Sequence, residues 1–194
     1  MSILDKIVAA VTPPETDYER QEARDIARRK ADKAPWLRMV LDHHEQIDGA
    51  FEQVKASSSA GQRLVALRQL TELLTAHSIA EEGVIYPALS DNGETGHATM
   101  AYTEQSAAKM QIGLLAHMDP MSQDFMDKFG HLEGAVKHHV YQEESKWFID
   151  LIDDAPQADH DWISERYAEE FNRYMHGVND AEEVLDAPQY TGIN

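Results

Sequence analysis

The stretch Leu74-Thr75-Ala76-His77-Ser78-Ile79-Ala80-Glu81-Glu82-Gly83-Val84-Ile85-Tyr86-Pro87-Ala88-Leu89 decides the fold. Together with the residues before it, it places Leu64, Leu67, Leu70, Leu74, His77, Glu81, Ile85 and Ala88 at steps of three or four, the spacing of one helix face. His77 and Glu81 therefore stand one turn apart on a face otherwise made of apolar side chains. An ionised carboxylate buried there without a partner is expensive, so Glu81 calls for a cation or a strong hydrogen-bond donor. The pattern His-x-x-x-Glu-Glu returns at His139-Val140-Tyr141-Gln142-Glu143-Glu144, on a face shared with Phe125, Phe129, Leu132, Val136, Trp147 and Leu151. A third histidine, His44, keeps the register of Leu37, Val40, Ile47, Phe51 and Val54, and its neighbour His43 competes with it. Helices that supply His and Glu from several sides are how bundles build paired-metal carboxylate sites.

Working outward, the spacing predicts four core helices. The first starts at Pro35 and is broken by Ser57-Ser58-Ser59-Ala60-Gly61; the second ends at Ser90-Asp91-Asn92-Gly93. The third runs from about Thr95 or His97 to Met118 and is stopped by Asp119-Pro120; the fourth follows Ser122 and stops before Pro156. Glu15 to Lys33 reads as a polar surface helix, with Thr12 as its N-cap and Pro13-Pro14 in its first turn. A further helix covers roughly Asp159 to His176, and a loose tail starts at Asp186. No segment reads as a strand. The expected fold is all-α: an antiparallel up-down four-helix bundle over 35–154, with an N-terminal helical extension over 1–34 and a C-terminal helix and tail over 155–194.

The absence of cysteine excludes disulfides and thiolate metal sites, so any metal must be held by nitrogen and oxygen. A formal charge of −18 argues against nucleic acid and anionic membrane as partners, because both attract cations. With no apparent signal peptide and no apolar run approaching the ~20 residues that span a bilayer, a cytoplasmic protein is expected.

These residues resemble the hemerythrin HHE family. The likeness is carried by Leu41-Asp42-His43-His44-Glu45-Gln46-Ile47, by Leu74 to Leu89, and by His138 to Glu144, within about residues 36 to 152. It implies a four-helix bundle with two non-haem iron ions, oxo- or hydroxo-bridged, zinc or manganese being the less favoured occupants. Carried over residue by residue, His44, His77 and His139 are the expected terminal ligands, and Glu81 and Glu143 the bridges. The third helix departs from the family, which usually places a His after an acidic residue; here the segment is Tyr102-Thr103-Glu104-Gln105. Counted back from Ile112 and Leu115, either Glu104 or Gln105 faces the seam. Glu104, being anionic, is the better ligand and completes the expected set, whereas Gln105 suits a hydrogen bond to a bound ligand. His97 is a more remote candidate. Tyr86 lies close enough in sequence to bond the site or to pack, while His117, His131, His160 and His176 read as surface residues.

The resemblance implies a protein that binds or senses dioxygen, peroxide or nitric oxide, stores iron, or responds to oxidative or nitrosative stress. A carboxylate-rich site points instead to a di-iron oxidase or peroxidase, and a third reading is a structural metal-binding bundle.

Overall fold

The computed structural model describes residues 15 to 186, with side chains described through residue 177. Every element among them is helical. We number the helices α1 (Asp17–Lys30), α2 (Pro35–Ala56), α3 (60–91), α4 (Thr95–Leu115), α5 (123–154) and α6 (Gln157–Asp186). Helices α3 and α5 are each interrupted by one wide, π-type turn, Glu81–Ile85 in α3 and Glu143–Trp147 in α5.

Local chemistry explains the boundaries. Thr16 caps α1 through a reciprocal box with Glu19, so the cap lies four residues beyond the expected Thr12, which falls outside the described residues. Ser59 and Ser122 accept the Gln62 and Phe125 amides at the starts of α3 and α5. Pro35 occupies the first turn of α2, where its missing N–H costs nothing. Gly93 turns the chain from α3 into α4 at φ 95°, a conformation that disfavours side chains with a Cβ. Helix α4 ends at Leu115, short of the expected Met118.

Arg63, rather than Leu64, is the buried residue at the start of α3. Its guanidinium donates to the carbonyls of Val54 (3.3 Å), Ser57 (2.6 Å) and Pro120 (2.8 Å), tying the α2–α3 and α4–α5 links together. Leu64 is exposed.

Two apolar clusters form the core. One contains Leu37, Val40, Val84, Leu89, Ala101, Phe148 and Leu151; the other contains Ile47, Phe51, Leu70, Leu74, Leu115, Phe129 and Val136. Helices α2 and α4 run from the first cluster to the second, while α3 and α5 run back, so all four pass through the layer between them. Helix α1 packs on α5 and α2, and α6 packs along both α2 and α3. At the α6 junction Trp36 is fully buried, meets Phe148 edge-on at 5.4 Å, and donates to His160 Nδ1 at 3.2 Å. Burying a side chain of this size contributes ~1.5–3 kcal/mol. His160 is therefore a core residue and not the surface residue its sequence position suggested, because it satisfies the indole N–H.

Candidate metal centre

The layer between the two clusters is polar and closed. Helix α2 brings His44 into it, α3 brings His77 and Glu81, α4 brings Gln105, and α5 brings His139 and Glu143, all of them buried. Ligand atoms of His44, His77, Glu81 and Glu143 lie within 4.8 Å of one another. Each carboxylate turns its two oxygens toward different histidines. Glu81 Oε2 is 3.2 Å from His77 Nε2, and its Oε1 is 3.9 Å from His44 Nε2. Glu143 Oε1 is 3.3 Å from His139 Nε2, and its Oε2 is 3.4 Å from His44 Nε2.

The wide turns add to this layer. In an ordinary helix the residue five after Glu81 points away from it; the extra residue in the turn returns Tyr86 to the same face. Its hydroxyl lies 2.8 Å from Glu143 Oε1, 3.2 Å from Glu81 Oε2 and 3.1 Å from His139 Nε2. Gln105 Nε2 donates to Glu81 Oε2 and to the Tyr86 hydroxyl, each at 2.6 Å.

The far side of each histidine ring is also held. His44 Nδ1 is 2.8 Å from Glu144 Oε1, and His139 Nδ1 is 2.8 Å from Glu104 Oε2. His77 Nδ1 is 3.0 Å from the Tyr167 hydroxyl, which also lies 2.8 Å from His43 Nδ1. Such partners hold each ring and aim its inward Nε2 into the layer, where it can bind a cation once it carries no proton. Glu144 is itself held by Arg24 Nε at 2.8 Å, and the other end of that guanidinium reaches Asp48 at 2.8 Å.

The electrostatics follow from burial and these neighbours. Burial opposes a charge on His44, yet Glu143 and Glu144 raise it to about 9. Burial opposes His139 too, and Glu143 and Glu104 hold it well above the usual histidine range. Glu81 is pushed up to about 8 by burial and then by the Glu143 charge. Burial works in the same direction on Glu143, but His139 and His44 overcome it and keep its carboxylate below the usual range. His77 is pushed down by burial and then by the His44 charge, and His43 falls to about 4 for the same reasons.

Of the expected ligand positions, His44, His77, Glu81, His139 and Glu143 meet in this layer. Glu104 stands behind His139 instead. Adjacent positions on a helix differ by ~100°, so with Gln105 turned inward Glu104 passes around the His139 ring. His43 lies beside the layer, stacked on Phe171 at 3.8 Å. His97 lies outside it, stacked on Trp147 and grouped with the partly exposed Glu94 and Asp150. Arg24 and Tyr167 had no signal of their own, since their partners are 120 and 90 residues away in sequence.

The buried side-chain atoms without a hydrogen-bond partner test whether a cation fits. Among the described residues they include His44 Nε2, Glu81 Oε1, Glu143 Oε2 and Gln105 Oε1, and the first three converge on one another. Once their protons are given up these atoms are lone-pair donors, in a set of imidazoles and carboxylates that suits Fe, Zn or Mn. A metal ion fits.

Comparison with known proteins agrees with this chemistry. A family model described as Hemerythrin HHE cation binding domain matches residues 37–151, more than half of the chain. A DNA nickase from Nostoc sp. (strain PCC 7120 / SAG 25.82 / UTEX 2576) is 30% identical over 105 residues, which make up 54% of this chain and 30% of that protein. The chain thus spans less than a third of that relative's length. No solved structure matches it.

Proposed function

This chain belongs to the hemerythrin HHE cation binding domain family, and we propose that it holds two iron ions at the buried layer and uses them to bind or sense a small oxidant such as dioxygen, peroxide or nitric oxide. The observation that carries this reading is the division of each carboxylate between two histidines, Glu81 between His77 and His44 and Glu143 between His139 and His44. A carboxylate split in this way suits two cations better than one. On this reading α2 to α5 are an antiparallel up-down four-helix bundle, and their alternating passage between the two apolar clusters supports it.

When bound, paired iron supplies one-electron redox steps and open coordination positions for a diatomic ligand. The chain supplies the rest. His44, His77 and His139 offer Nε2, with Glu144, Tyr167 and Glu104 respectively holding each ring from behind. Glu81 and Glu143 balance the cation charge. The Tyr86 hydroxyl and the Gln105 amide orient both carboxylates and leave hydrogen-bonding groups beside the space a small ligand would enter. The apolar clusters above and below exclude water. No helix among the described residues is long and apolar enough to cross a membrane. The charge of −18 and the short overlap with the Nostoc protein give no support for carrying a DNA activity over to this chain.

A second reading, an oxidase or peroxidase using the same centre, draws on one observation. Two of the three histidines are backed by carboxylates, which makes the imidazoles more electron-rich and favours the ferric state.

The test is metal content with an optical spectrum on protein purified in air. Near two irons per chain with near-ultraviolet oxo-to-iron absorption is expected; zinc alone, unchanged after anaerobic ferrous loading, would defeat the di-iron reading. Peroxide or oxygen consumed beyond two electrons per site would favour the enzyme over the binding protein.

A further inference from the structure

Tyr167 is fully buried, lies on α6 beyond the family match at 37–151, and has one hydroxyl between two imidazoles. Its oxygen is 3.0 Å from His77 Nδ1 and 2.8 Å from His43 Nδ1. That hydroxyl has a single proton to donate and lone pairs to accept with. The two imidazoles are its only hydrogen-bond partners among the described residues. Its buried proton is therefore satisfied only by donating to one Nδ1 while the oxygen accepts from the other, which puts one neutral ring's proton on Nδ1 and the other's on Nε2.

We infer that Tyr167 is a positioning residue for the metal centre: through its hydroxyl it locks His43 and His77 into complementary tautomers and aims His77 Nε2 at the cation. The inference rests on the metal reading proposed above for its consequence, though not for the tautomer lock itself.

The direction of the chain is set once His77 Nε2 faces a cation. His77 then keeps its proton on Nδ1 and donates it to the Tyr167 oxygen. The Tyr167 hydroxyl in turn donates to His43 Nδ1, which places the His43 proton on Nε2. Occupancy of a fully enclosed site is thereby relayed to His43, a ring only partly buried, on the neighbouring helix. The arrangement is stiff. Phe171, one turn further along α6, stacks on His43 at 3.8 Å and 18°, and His43 meets His77 edge-on at 6.1 Å. Helix α6 therefore grips the ring pair at two points, and its docking is part of the metal site.

The experiment uses the full chain, with Tyr167→Phe to remove the hydroxyl while keeping the ring and Tyr174→Phe on the same helix as the control. In chelator-treated protein at neutral pH, long-range proton–nitrogen NMR of the imidazoles, assigned with His43→Gln and His77→Gln, should show complementary tautomers for the two rings in wild type. In Tyr167→Phe the coupling should be lost. Loading with Zn2+, a diamagnetic probe, should place the proton on Nδ1 of His77 and Nε2 of His43. The Zn2+ dissociation constant, measured by chelator competition, should rise roughly ten- to hundredfold in Tyr167→Phe and stay unchanged in Tyr174→Phe. Identical tautomers in wild type, or a Tyr167→Phe chain that matches wild type in both readouts, would overturn the inference. If wild type takes up neither Zn2+ nor ferrous iron, the metal reading fails by itself, and the chelator-treated spectra still decide the tautomer lock.

Discussion

At the residue scale the centre is a set of bases that hold protons until something stronger displaces them. Against the burial that opposes their charge, neighbouring carboxylates keep His44 protonated up to about 9 and His139 well above the usual range, while burial and then the Glu143 charge keep Glu81 protonated up to about 8. All three must give up a proton to bind a cation. Uptake at pH 7 should therefore release about three protons per chain, one from each of these residues. The sign follows: raised pKa values make protons the competitor, so affinity climbs as pH rises through 8 to 9 and falls below it. Calorimetry in buffers of different ionisation enthalpy measures the proton count, and a count near zero would contradict this charge assignment. The five residues at steps of four or in apolar register were legible because each interrupts a run of leucine, valine or phenylalanine. The choice between Glu104 and Gln105 was not. The inner face of α4 near them is built from alanines such as Ala98, Ala101 and Ala108, which leave the phase of the helix loosely defined.

At the element scale the two wide turns account for the largest departure from simple periodicity. A period of 3.6 carried past Glu81 predicts Ile85 and Ala88 on the inner face, whereas Val84, Ile85, Tyr86 and Leu89 are the buried ones. Three consecutive apolar residues after the first motif, and Trp147-Phe148 after the second, are the trace the extra residue leaves in the sequence. Helix α1 shows the opposite case, a helix correctly read as polar and peripheral whose docking depends on charge. Ala23 and Ala27 bury little area, while Arg24 reaches the buried Glu144 and through it His44. Removing one partner of a buried ion pair typically costs ~3–5 kcal/mol, because the other charge is left uncompensated. Arg24 keeps some exposure and Glu144 can still turn to His44, so Arg24→Met should cost nearer ~2–3 kcal/mol in urea unfolding. Amide exchange of α1 should rise selectively. Unchanged protection of α1 would mean that its other pairs, Arg28 with Asp42 and Lys30 with Asp153, are enough to hold it.

At the scale of the whole molecule, stability and occupancy are one equilibrium. Five buried ionisable groups facing one another cost stability, and a cation that binds only the folded chain adds RT ln(1 + [L]/Kd), ~2.7 kcal/mol when its concentration is a hundredfold above Kd. Ferrous iron under anaerobic conditions should raise the urea midpoint by that order, and a chelator should return it to the starting value; a midpoint indifferent to both would mean the layer is structural. The sequence made the all-helical architecture plain, since its punctuation by proline, glycine and serine coincides with the breaks between helices. It could not reveal that α6 packs along α2 and α3 and reaches the layer with Tyr167, because that contact joins residues 90 positions apart. The same contact imposes an order on synthesis. A chain made from its N-terminus exposes His44, then His77 and Glu81, then His139 and Glu143, and only afterwards Tyr167. While the ribosome is still translating α6, every inward-facing candidate ligand already exists but the His77 ring lacks its Tyr167 partner. Nascent chains arrested before that point should be the form most prone to load the wrong ion.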